Sequence, residues 1–148
     1  MDAIILGKGD GEHHSIGPSS VSIKVGADET AGTFYCGEVE IQPGFPGPPA
    51  HVHKRLHDMF YVLEGTLTMR VGEDAREVPA GTFVCVPPGV VHTFSNPGST
   101  PVRFLNFNTP GGWEGYTRDL GAASTEGHQL SSEEIGEIAS RYDFHAAV

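Results

Sequence analysis

From residue 21 onward, short runs rich in β-branched and aromatic residues recur between turn signals. Residues 21–25, 33–41, 59–63, 66–71, 76–78, 82–86, 91–95 and 102–108 read as strands, with 51–53 as a shorter one. The polar stretch 26–32 and the breakers Gly72-Glu73-Asp74, Pro87-Pro88-Gly89 and Asn96-Pro97-Gly98 separate them. The segment 43–50, PGFPGPPA, is excluded from helix and central strand, because proline lacks an N–H and blocks the α region of the residue before it. So many short strands at this spacing predict an all-β sandwich or barrel with its core over about residues 21–108. Only the tail has a helical pattern. Ser131 and Glu134 have the spacing of a capping box, and Ile135, Ile138, Ala139 and Tyr142 share one face. This predicts one short helix over about residues 132–142, packed outside the barrel.

Composition agrees with frequent turning. The 148 residues suit one ordinary domain spanning 1–148, and 20 glycines with 11 prolines are too many for a helical bundle. A net charge of −10, with Lys54-Arg55 the sole adjacent basic pair, argues against nucleic acid or an anionic membrane surface as partner. Cys36 and Cys85 lie in apolar runs and read as small buried strand residues, and no CxxC spacing is present. Near the start, the apolar patch is only residues 3–6, too short for a signal peptide or membrane span, so a cytoplasmic protein is expected.

The candidate chemistry lies in the histidines. Residues i and i+2 of a strand share a face about 6.6 Å apart, so His51 and His53 can converge on one ion. In isolation such a pair reads more readily as two exposed histidines in a loop. A second motif, GTFVCVPPGVVHTFSN over 81–96, reads as strand, Pro-Gly corner and strand, with Val90, His92 and Phe94 on one face. Histidines on neighbouring strands of one small barrel each leave ring nitrogens to satisfy, and a shared metal satisfies several at once. Strand parity then divides the following run into two faces: Asp58, Phe60 and Val62 on one, His57, Met59, Tyr61 and Leu63 on the other. No GxSxG nucleophile motif or phosphate loop is present.

These motifs resemble those of single-domain cupins. The pattern G-x5-P-x-G-x2-H-x3-N is matched without a gap at Gly81, Pro87, Gly89, His92 and Asn96. The pattern G-x5-H-x-H-x3–4-E-x6-G is matched at His51, His53 and Gly65, with Gly44 one residue further out. The resemblance implies a cupin jelly-roll β-barrel, with the helical tail a family-variable extension. It also implies that the motif carboxylate and the residues two and four beyond it face the cavity. Counting back from Gly65 and forward from His53 both land on Asp58, where the family has glutamate. A bulge near the strand start would hand that place to His57 instead. The implied metal ligands are His51, His53, Asp58 and His92, holding one divalent ion per chain, whether Fe, Ni, Mn, Co, Cu or Zn. Aspartate lacks a methylene, so its oxygens reach roughly an ångström less far; the strand must move inward or the carboxylate bind weakly or through water.

The combination YVLEG with VPPGVVHTFSN most resembles small bacterial cupins related to quercetin 2,3-dioxygenase. That implies a metal-dependent enzyme acting on a small aromatic or enol-bearing substrate. Asp58 would be the catalytic proton acceptor, and Phe60, Val62, Phe94 and Phe104 the cavity walls. Metal-dependent isomerase, cyclase or lyase chemistry, or non-catalytic binding of a small molecule, uses the same site. The resemblance also implies a homodimer. Elsewhere, His13-His14, His128 and His145 read as solvated. Glu38 reads as support for the site or as surface, and Trp113 with Tyr116 as the seal of the barrel edge or the lining of its mouth.

Overall fold

A computed structural model describes residues 2–125 and 127–147. Two antiparallel sheets face each other in a jelly roll, the all-β architecture expected. The first holds β1 (Glu12–Ile16), β2 (Ser19–Val25), β3 (Tyr35–Ile41), β10 (Val102–Thr109), β5 (His57–Glu64) and β8 (Phe83–Val86), in the order β1-β2-β3-β10-β5-β8. The second holds β4 (His51–Val52), β6 (Thr66–Val71), β7 (Asp74–Pro79), β9 (His92–Ser95) and β11 (His145–Ala146), in the order β11-β4-β9-β6-β7. Inward-facing Ile41, Phe60, Val62, Leu67, Met69, Val86, Val102 and Phe104 fill the space between them and are almost fully buried. This burial is the main force holding the sheets together. Among the described residues, no helix is long and apolar enough to cross a membrane.

The motif residues shape the turns around this core. Gly65 joins β5 to β6 at φ 80°, and a Cβ there would come within 2.7 Å of the Pro101 carbonyl, so only glycine fits. Gly89, in the Pro-Gly corner between β8 and β9, donates its N–H to the His53 carbonyl at 2.8 Å. Asn96 is buried and its amide donates to the Ile41 and Thr100 carbonyls. Its place in the motif is thus explained by loop anchoring.

Several expectations need correcting. The first sheet starts earlier than residue 21: His13 and His14 lie in edge strand β1, paired with Ser22 and Val21. Its mostly exposed, polar sequence hides a strand that buries Ile16. Residues 26–32 contain a single helical turn, α1 (Ala27–Thr30), and a second helix, α2 (Trp113–Ala123), follows the last long strand. Gly115 and Gly121 weaken the helical signal of α2, and its buried residues are few. The helix expected over 132–142 is α3 (Ser132–Ala139), with the full capping box at Ser131 and Glu134, but it ends before Tyr142. His145 is not solvated tail sequence but part of β11, paired with Val52. Both cysteines are free; Cys36 is half-buried and Cys85 exposed, because each sits on the outer face of its strand.

A candidate metal centre inside the barrel

Strands β4, β5 and β9 bring four of the expected residues together. His51 lies opposite His92 in the β4–β9 pair, and His53 follows at the end of β4. Asp58 enters from β5 in the facing sheet. His51, His53, Asp58 and His92 are all buried, and one ligand atom from each lies within 4.8 Å of the others. The two-residue periodicity of β5 runs without a bulge at its start: Asp58, Phe60 and Val62 point inward, while His57 is exposed on the outside. His57 is therefore remote from the cluster.

Backbone carbonyls set the orientation of each ring. His51 Nδ1 faces the Pro49 carbonyl at 2.8 Å, and His92 Nδ1 faces the Val90 carbonyl at 3.0 Å. His53 Nδ1 faces the carbonyl of Asp143. A carbonyl can only accept, so each Nδ1 carries the proton and each Nε2 is directed to the other side of its ring. That tautomer is the one in which imidazole ligates through Nε2.

Asp58 meets two of these nitrogens despite its short side chain. Its Oδ2 lies 2.9 Å from His92 Nε2 and 3.3 Å from His53 Nε2. Its Oδ1 accepts from the amide groups of Asn106 at 2.8 Å and Asn108 at 2.7 Å. Asn108 sits directly opposite Asp58 in the β5–β10 pair, and Asn106 is two residues along on the same face. The amides thus hold one oxygen and leave the other to the histidines. Burial raises the Asp58 pKa, but hydrogen bonds and charge from His53 and His92 outweigh it and hold the carboxyl well below the usual range. Burial, with His92 nearby, pushes His51 down to about 3, so its ring is neutral at ordinary pH. For His53 burial acts downward, but Asp58 dominates and the pKa is raised.

The donor set fits a divalent cation. His53 Nε2 is buried, and its one polar neighbour is the Asp58 Oδ2 at 3.3 Å, too poorly placed to satisfy it and open to a cation between them. His92 has acceptors at both ring nitrogens, so either the ring holds two protons or a cation takes the place of the second. A buried cluster of three imidazoles and one carboxylate could hold one metal ion.

The cluster opens onto a cavity of about 70 Å³. His51, Asp58 and Asn106, with the hydroxyl residues Ser19, Ser20 and Thr117, are among its polar lining, while Phe45, Phe94, Phe104, Trp113, Tyr116 and Phe144 supply aromatic wall. No Lys or Arg lines it among the described residues. Of the four expected walls, Phe94 and Phe104 are present. Phe60 and Val62 are not; Phe60 packs behind the wall against both rings, at 5.7 and 5.8 Å. Trp113 and Tyr116 stack on each other within α2 and face the cavity. Glu38 belongs to the outer surface, where it pairs with Lys24 and Arg103.

Sequence reasoning missed Asn106, Asn108, Asp143 and Phe144. A signal for the first two exists: β10 buries Val102, Phe104, Asn106 and Asn108 in strict alternation, so two amides continue an apolar inward face. No comparable pattern marks the tail residues.

Comparison with known proteins agrees with this fold. Residues 37–108 match the family model described as Cupin domain. Germin-like protein 5-1 of Oryza sativa subsp. japonica is 30% identical over 70% of this chain and 53% of its own length. The chain spans about half the length of the curated relatives it matches. The polyketide cyclase RemF from Streptomyces resistomycificus superposes with a TM-score of 0.62 at 22% identity, covering 73% of this chain and 80% of the cyclase. An RmlC-like cupin from Shewanella frigidimarina gives a TM-score of 0.60 at 20% identity, covering 74% and 92% respectively. At these identities the two structures bear on the fold alone.

Proposed function

We propose that this chain, whose fold and Cupin domain match support membership of the cupin superfamily, is a metal-dependent enzyme acting on a small, neutral, aromatic or enol-bearing molecule. We take dioxygenase chemistry of the quercetin 2,3-dioxygenase kind as its leading form. The observation that carries the proposal is the junction of the His51, His53, Asp58 and His92 cluster with an aromatic cavity that, among the described residues, no Lys or Arg lines. A phosphorylated substrate would bring anionic charge that no Lys or Arg of the described wall can pair, leaving the ion alone to offset its desolvation cost. A planar ring instead finds faces and edges to pack against.

A divalent ion held by these ligands would supply Lewis acidity and a template for a hydroxyl or enol oxygen. The residues of the chain do the rest. Phe94, Phe104 and Trp113 exclude water and align the ring. Among the described lining residues Asp58 carries the one carboxylate, and where its Oδ2 is not tightly held by the ion it is placed to receive the hydroxyl proton. Asn106 and Asn108 keep that oxygen in position by holding Oδ1. In the dioxygenase form, both atoms of O2 enter the substrate, the C–C bonds on either side of the enol carbon break and that carbon leaves as carbon monoxide, so substrate and O2 balance without a further reductant. The free volume is below the roughly 150 Å³ of a cavity that takes up benzene, so admitting even one ring requires the lining to open.

Oxygen uptake by metal-loaded protein, measured with a set of catechol and flavonol substrates, tests the proposal. Uptake matched to substrate loss, abolished by chelator, is expected. Turnover unchanged without oxygen would replace this reading with isomerase, cyclase or lyase chemistry, and binding without turnover would make the chain a small-molecule binding module.

A further inference from the structure

The residues after α3 return over the end of the barrel that holds the histidines. The Asp143 carboxylate accepts from three consecutive backbone N–H groups, those of Lys54 at 2.8 Å, Arg55 at 2.7 Å and Leu56 at 3.0 Å. These belong to the turn between His53 and Asp58. The carbonyl of the same residue accepts from His53 Nδ1. The next residue, Phe144, is buried with its ring stacked on His51, centroids 4.1 Å apart and planes 19° apart. In β11, His145 and Ala146 pair with Val52 and His51, and the Ala147 N–H reaches the Ala50 carbonyl at 2.8 Å. The segment is therefore anchored on the stretch of chain that carries two of the three histidines.

A supporting contact comes from α3. A Cβ on Gly136 would lie 2.8 Å from Pro49 Cγ, so the glycine lets the helix press directly on Pro49, whose carbonyl orients His51. The tail lies outside the region matched by the Cupin domain model, yet it touches the His51 and His53 rings directly.

Resting on the metal reading above, we propose that Asp143 and Phe144 are positioning residues of the metal centre. Asp143 holds the turn with its carboxylate and fixes His53 with its carbonyl, so that Nδ1 keeps the proton and Nε2 stays free for the ion. Phe144 fixes the plane of the His51 ring. A segment that merely plugged the barrel would need burial, but neither a carboxylate on three turn amides nor a carbonyl on a ring nitrogen.

Full-length wild type, Asp143→Asn, Asp143→Ala and Phe144→Leu are compared in three measurements: Co²⁺ affinity by chelator competition, the visible spectrum of bound Co²⁺, and the ¹⁵N shifts of the His53 ring in metal-free protein. Altered partners of metal ligands typically cost 10–100-fold in affinity. Asp143→Ala keeps the main-chain carbonyl that faces His53 but removes the carboxylate that anchors it, so it is expected to lose at least about tenfold in Co²⁺ affinity, with a changed spectrum and, as the carbonyl shifts away from Nδ1, a mixed His53 tautomer. Asp143→Asn, which keeps one acceptor oxygen, should fall between it and wild type. Phe144→Leu keeps apolar volume but not the stacked ring, and should change the spectrum. If these variants melt earlier but bind Co²⁺ with wild-type affinity and spectrum and keep the His53 tautomer, the segment is only a plug and the proposal is overturned. If wild type itself takes up no Co²⁺, the metal reading falls. The His53 tautomer then judges the positioning separately: unchanged shifts in Asp143→Ala would overturn it, and a mixed tautomer would uphold it.

Discussion

Strands β5 and β10 carry two different surfaces on one backbone. Their inner face presents Asp58, Phe60, Val62, Phe104, Asn106 and Asn108, all buried. Their outer face presents His57, Met59, Tyr61, Leu105 and Phe107, exposed or half-buried. Both faces mix apolar and polar residues, so polarity alone does not tell them apart. What differs is satisfaction. The inner carboxylate and amides are aimed at partners: Asp58 at two amides and two imidazoles, Asn106 also at the Met59 carbonyl, while the Asn108 Oδ1 is left buried without one. On the outer face water does that work. The lesson is that a polar residue on the inner face commits its neighbours, whereas one on the outer face commits nothing.

Substitutions can break that contrast, and the largest effect should be in packing. Phe60 is buried between Phe94 and Phe104, and Phe60→Ala should cost about 3–5 kcal/mol in denaturant unfolding. Phe83→Ala, at an outer position where the ring is 54% exposed, should cost under about 1 kcal/mol. Equal losses would show that the faces are not distinct in energy.

Next comes the amide support of the carboxylate. Asn108→Leu removes one of the two donors to Asp58 Oδ1 and should destabilise metal-free protein by about 1–3 kcal/mol. Asn106 then remains as the single amide on that oxygen, so the variant should still fold. A neutral or stabilising result would mean that Asn108 does not hold Asp58 in solution.

The smallest effect should come from the outer charges. Two hydrogen bonds from Arg118, with a third from His14, hold the Glu12 carboxyl down from 4.5 to about 2. A carboxyl with a lowered folded pKa stabilises fully above its unfolded value and loses that contribution as pH falls through its folded one. Glu12→Gln should therefore cost no more than about 0.5 kcal/mol near neutral pH, because the pair is well exposed. Relative to wild type the deficit should shrink below pH 4.5 and vanish near pH 2. A deficit independent of pH would assign the effect to packing instead.

The inner–outer division was legible in the sequence because side-chain direction in a strand alternates strictly. Alternation separated Asp58 from His57, and the resemblance said which face was inward. The Pro-Gly corner and Gly65 were equally legible, since their backbone conformations admit few residue types. Asn106 and Asn108 were not picked out, because an asparagine in a strand carries no mark of the carboxylate it will meet on the next one. The tail was least legible. Asp143 and Phe144 act through contacts some 90 residues away in the chain, and neither periodicity nor local motif encodes such pairing. Helix α2 was hidden by its glycines, and β1 by its polar exposed face.

The proposed metal centre depends on which face of β5 would meet the ion. Elemental analysis of purified wild type, Asp58→Ala and His57→Ala, each loaded with one divalent metal and desalted, tests this most directly. One ion per chain is expected in wild type and His57→Ala, and a strong loss in Asp58→Ala. Loss in His57→Ala alone, or no metal retained by wild type, would contradict the account.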